Sequence, residues 1–167
     1  MRRQLTPEEL DMLYRHVGRC IWHIQYLEDV LHTFLTMKVE IREPGRLTEQ
    51  EARSLLAKHR RASLGTALGA AEKHSALPNT LLAELRSLKE ERDWLVHRSM
   101  NQDGESLYTD RGRDTVFSRL EVLMDRTVLL KGLLLAETEA VCAGHGISAV
   151  QQELLARQQI AALKGNA

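Results

Sequence analysis

Apolar residues recur at intervals of three and four through Leu10, Leu13, Val17, Cys20, Ile21, Ile24, Leu27, Leu31, Phe34 and Leu35, the spacing that lines one face of a long helix. The start of this helix is written out in full. Thr6 stands at the N-cap, Pro7 at the first helical position, Glu9 where a capping box closes, and Leu5 pairs with Leu10 as a staple. The pattern continues to Pro44-Gly45, so the helix spans about thirty residues, roughly 45–50 Å at ~1.5 Å per residue.

A second start follows, with Thr48 as N-cap and Glu51 three residues on, leading into "EQEARSLLAKHRR". Gly65 and Gly69 weaken the helix beyond it and predict a bend or two short helices over residues 49 to 74. After Pro78-Asn79 a third helical pattern runs from about residue 80 to 100, with Leu82, Leu85, Leu88, Leu95 and either Trp94 or Val96 inward. "NQDGESLYTDRGRD", with Gly104 and Gly112, reads as a loop in which Leu107-Tyr108 form a short extended piece. A fourth helix takes residues 114 to 142, carrying Val116, Leu120, Leu123, Met124, Val128, Leu130, Leu134 and Leu135, and stops at Gly144-His145-Gly146. Ser148 and Gln151 form a third capping box opening a shorter helix that ends near Lys164-Gly165. No segment alternates as a strand does. The expected fold is therefore all-α: a four-helix up-and-down bundle over residues 1–146, with a C-terminal helix and tail over 147–167 packed on or beside it.

Composition narrows the chemistry. The 23 basic and 23 acidic residues cancel, so no global field draws the protein to nucleic acid and any such binding must come from local patches. Cys20 and Cys142 lie far apart without metal-ligand spacing, which argues against a disulfide framework or a zinc site and for a reducing cytoplasm. His16, Cys20 and His23 have helical spacing, but nothing evident completes a ligand set, so they read as packing and no metal is expected. No apolar run approaches a membrane span, and "MRRQLTPEEL" lacks the apolar core of a signal peptide.

The segment "ERDWLVHR" sets Arg92, Asp93 and His97 near the end of the third helix. Spacing alone is weak evidence, because Arg53 and His59 form a second Arg-to-His pair, with Ser54 as its polar neighbour. Asp93 differs from Ser54 in its charge. On an ideal helix Arg92 and His97 lie about 140° apart, so they would meet only if the last turn unwinds or if two chains complete one site. Asp93 and His97, four apart, share a face, and the carboxylate is expected to hold one ring nitrogen and raise the imidazole's proton affinity.

The Arg, polar residue and His in this order, following "ASLGTALGAAEKHSALPNTLLAELRSLKE", resemble the HEPN superfamily of helical nucleotide- and RNA-handling domains. The resemblance implies a metal-independent, cofactor-free, homodimeric endoribonuclease of toxin or defence type, with RNA as substrate and an antitoxin protein as a further partner. It assigns acid–base work to His97, phosphate charge to Arg92 and support to Asp93. It also admits a catalytically silent module that binds RNA or a nucleotide, or only dimerises. Beside these stand Lys58, Arg60 and Arg61, which either follow an RNA backbone or form a solvated face, and Arg98 at the end of the motif. Arg111 and Arg113 read as a phosphate clamp or as a flexible loop, and Trp94 as a base-stacking ring or as core. Glu28 and Asp29, inside the first helix, either face the motif helix or lie on the surface.

Overall fold

The structure, a computed structural model, describes residues 2–165 apart from 42 and 44, so Pro44 of the expected stop signal lies outside the described residues. Its elements are α1 (Pro7–Leu35), a π-turn (Thr36–Glu40), α2 (Glu49–Arg60), α3 (Leu64–Lys73), α4 (Asn79–Asp93), a second π-turn (Trp94–Arg98), α5 (Ser99–Asp103), a 3₁₀ turn (Glu105–Tyr108), α6 (Asp110–Gly144) and α7 (Ala149–Leu163). Thr6, Thr48 and Ser148 each form the expected capping box, with Glu9, Glu51 and Gln151 reaching back to the cap backbone.

The second helical region is two helices. Ser63 caps the second of them, its hydroxyl accepting from the Thr66 N–H. The expected loop is mostly helical as well. Thr109 caps α6 by accepting from the Gly112 N–H, so the fourth helix begins at Asp110 rather than at 114. Leu107 and Tyr108 form 3₁₀ structure instead of an extended piece, and the extended contact falls one residue later, where Arg2 pairs with Thr109 in an isolated bridge.

Side-chain pairs give the helix directions. His16 packs edge-on against Phe117, the Cys20 Sγ donates to the Leu120 carbonyl and Lys131 lies over Tyr26, so α1 and α6 run parallel. Glu84 with Arg126 and Glu91 with Arg119 show α4 antiparallel to α6. Glu72 with Arg86, and Gly65 beside Lys89, show α3 antiparallel to α4. The bundle is thus α1, α3, α4 and α6. The split of the second helical region supplies an additional reversal, which is why the first and last long helices point the same way.

Leu27, Leu31, Phe34 and Leu35 of α1, Leu85 and Leu88 of α4, and Leu130 and Leu134 of α6 are closed to solvent at the centre. Each such side chain contributes about 1.5–3 kcal/mol of transfer free energy. On α3, Ala67, Leu68 and Ala71 are buried, and a Cβ at Gly65 would lie 3.1 Å from the Lys89 Cε. The small residues of "ASLGTALG" therefore let α3 approach α4 at the level of Lys89. None of the residues of α7 is buried. No helix among the described residues is long and apolar enough to cross a membrane.

Candidate functional site

The motif straddles a change of helix type. Regular α-helix ends at Asp93, and over Trp94–Arg98 the chain adopts i→i+5 bonding, with the Ser99 N–H donating to the Trp94 carbonyl. Such a turn holds one residue more than an α-turn and leaves carbonyls poorly served. The sequence answers this locally: the Ser99 hydroxyl donates to the Leu95 carbonyl at 2.8 Å, and Arg98 Nη2 reaches back to the Glu90 carbonyl at 3.1 Å. Each residue of the wider turn advances by less than the ~100° of an α-helix, so Arg92 and His97 are separated by less than the ~140° of the ideal case.

Arg92 is partly buried. Its Nη1 donates to Asp93 Oδ1 at 3.1 Å, and its Nε lies 3.7 Å from Glu28 Oε1. The other Asp93 oxygen accepts from Lys89 Nζ at 2.6 Å. That hydrogen bond is the main cause holding the Asp93 carboxyl below its ordinary range; burial opposes it and Arg92 reinforces it. Glu28 therefore faces the motif helix, and the surface alternative is overturned for it. Burial pushes its carboxyl up, with Arg92 opposing and Asp93 adding to the rise, and its Oε1 is buried without a hydrogen-bond partner among the described residues. One turn along α1, His32 is only 4% exposed with Nδ1 likewise unpartnered, and burial, aided by nearby His59, lowers its proton affinity.

His97 is exposed, and no hydrogen bond or ion pair to it occurs among the described residues. The expected hold of Asp93 on the imidazole is not made. Lys89, one regular α-turn before Asp93, takes the carboxylate, whereas His97 lies on the far side of the change in register, where residues four apart no longer stack.

The flanking candidates divide. Arg60 is bidentate to Asp29, at 2.6 and 3.0 Å, so consecutive acids of α1 hold Arg92 and Arg60. Lys58 and Arg61 are exposed and make no ion pair among the described residues, while His59 meets Glu40 at 3.2 Å. Arg98 is half exposed, and Arg111 is exposed on the first turn of α6. Two expectations fail. The Arg113 side chain, 5% exposed, donates to the Leu107 carbonyl and pairs with Asp110 and Glu9, so it ties α6 to the N-terminus and is not offered to a phosphate. Trp94 is 2% exposed, so its ring is not presented to a base.

Among the described residues no three His, Cys, Asp or Glu side chains gather so as to hold a metal ion. His16 Nδ1 lies 2.8 Å from the Met12 carbonyl, and its ring meets Phe117 edge-on. No motif pointed to Arg119, which grips Glu91 from α6 and lies over Trp94. Compared with protein-family models, curated proteins and solved structures, the chain matches none.

Proposed function

We propose that the chain is a homodimeric endoribonuclease in which His97 moves protons and Arg92 stabilises phosphate charge, as its resemblance to the HEPN superfamily implies. One observation carries the reading: the motif helix widens into a π-turn between Asp93 and His97, a distortion that recurs at functional sites. It turns His97 toward the Arg92 side of the helix and leaves the imidazole without a protein partner. In this reading one His97 takes the proton from a ribose 2′-OH, and the oxygen attacks the adjacent phosphorus. The same residue of a second copy protonates the departing 5′-oxygen. Arg92, whose side chain is 31% exposed, turns unused N–H donors to the phosphorane oxygens. The products are a 2′,3′-cyclic phosphate and a 5′-OH end, and the nucleophile comes from the substrate, so chelation leaves the rate unchanged. Of the cations expected to follow the RNA strand, Lys58, Arg61 and Arg111 are exposed without an ion pair among the described residues, and Arg98 is half exposed but engaged with Glu90. A toxin or defence role with an antitoxin partner belongs to this reading.

A second reading, a silent binding or dimerisation module, is favoured by a different observation. Glu28, Arg92, Asp93 and Lys89 already neutralise one another within the chain. Cleavage of varied RNAs and melting temperature, measured together for wild type, His97→Ala, Arg92→Ala and Asp93→Asn, separate the two. Catalysis predicts loss of cleavage with an intact fold for His97→Ala, loss with weakened RNA binding for Arg92→Ala, and a milder defect for Asp93→Asn. Inactive wild type across the RNAs selects the silent module, and sedimentation as a monomer at tens of micromolar removes the shared site.

A further inference from the structure

The π-turn is gripped from outside by one side chain of α6. Arg119 donates from Nε and Nη2 to the two oxygens of Glu91, at 2.9 and 3.2 Å, and its Nη1 lies 3.7 Å from Asp103 Oδ2. The guanidinium carbon stands 3.5 Å from the centroid of the Trp94 ring, and the Trp94 indole N–H donates to the same Asp103 oxygen at 2.7 Å. Glu91 precedes the π-turn, Trp94 is its first residue, and Asp103 ends the short helix after it. Arg119 thus spans the irregular segment from flank to flank, and the indole fills the space beneath the guanidinium.

An exposed Arg–Glu pair alone contributes little. Here the planar cation meets two carboxylates and an aromatic face together, an arrangement that Lys cannot reproduce. A turn with one residue in excess has a competing regular form, in which His97 points elsewhere on the helix. We propose that Arg119 is a positioning residue: by clamping Glu91 and Asp103 against Trp94 it keeps the segment in π-form and so sets the direction of His97. This rests on the reading of His97 as the proton carrier, but the geometric part stands without it.

The test is Arg119→Ala in the full chain, followed by the ring resonances of His97, assigned by their loss in His97→Gln, and by the Trp94 indole N–H, distinguished from Trp22 with Trp22→Phe. The expected result is a folded protein in which both signals move while those of His145, at the far end of α6, stay. RNA cleavage then falls roughly 10- to 100-fold in kcat with KM little changed, the signature of misplacement rather than lost contact. Arg119→Lys should lie between. Should Arg119→Ala not fold, Glu91→Gln, which removes the bidentate partner from a half-buried position, is read by the same signals. Unmoved His97 resonances in a folded variant overturn the proposal, as does unchanged kcat in a protein that cleaves RNA. Moved resonances with no cleavage by wild type support the clamp and refute the ribonuclease.

Discussion

One substitution made at two glycines of α6 should have opposite effects. Gly132 lies exposed in mid-helix, and a Cβ there meets nothing within 4 Å. Gly132→Ala therefore removes only the backbone freedom of glycine, a gain of about 0.8–1 kcal/mol. Gly112 lies in the first turn, where a Cβ would be driven into the Ser106 carbonyl and would stand 2.7 Å from Thr109 Oγ1. Backbone overpacking costs about 1–3 kcal/mol, and displacing Thr109 from the Gly112 N–H forfeits a cap worth ~1 kcal/mol. Against these, the helix-propensity gain is too small to decide the sign, so Gly112→Ala should lose roughly 1.5–3 kcal/mol. At about 2–4 °C per kcal/mol for a domain of this size, Gly132→Ala melts about 2–4 °C higher and Gly112→Ala roughly 3–12 °C lower. Thermal unfolding followed by circular dichroism at 222 nm reads both. A Gly112→Ala protein as stable as wild type would refute the close approach of the 3₁₀ turn to α6.

The Glu9 carboxyl is held down to about 2, chiefly by its hydrogen bond from Arg3 and then by that from the Thr6 N–H. Its contribution is complete above the carboxyl's unfolded value and is lost as pH falls toward 2, so Glu9→Gln should lower the melting temperature at pH 7 and flatten its fall below pH 5; equal slopes for the two proteins would contradict this. Glu28 shifts the other way, so the folded protein holds that proton more tightly than the unfolded chain, and stability is lost as pH rises from the unfolded value to the folded one. Glu28→Gln should shrink that loss, which a pH series of denaturant midpoints would detect. Arg113→Ala removes a buried cation from Glu9 and a donor from the Leu107 carbonyl, and should cost about 3 kcal/mol in urea unfolding; a loss below ~1 kcal/mol would place that guanidinium in solvent. Ending the chain after Gly146 removes α7, which buries no residue, and should leave the melting temperature nearly unchanged.

Helix starts were legible where side chain and backbone cap each other within four residues, as at Thr6, Thr48 and Ser148. Thr109 carries no such signal, because the third residue after it is Gly112, which has no side chain to complete a box. Both Gly104 and Gly112 then read as loop signals. Gly112 is instead required by the close approach of the 3₁₀ turn just before α6, a fold-back that residue propensity alone does not encode. The triad was legible as residue types, but its geometry was not. The Asp93–His97 contact assumed a regular helix, and the π-turn depends on Ser99 and Arg98 serving displaced carbonyls and on Arg119 arriving from a distant helix. Glu28 was visible as an acid on an apolar helix, one turn from both Ile24 and His32, whereas its partner Arg92 could be named only once α1 and α4 were packed.

A wide turn of this kind is a regular helix carrying one residue too many. Removing one residue from α4 would rotate all that follows by about 100°, carrying Trp94 and Asp103 together away from the partners they meet on α6. Removing Val96, an exposed member of the wide turn, instead closes the surplus and returns the helix on either side to the faces it already occupies. The segment thus serves as a length buffer. A change of one in the count of residues between the arginine and the histidine then leaves the flanking helices on their faces, while it redirects the imidazole and the carbonyl contacts of Ser99 and Arg98.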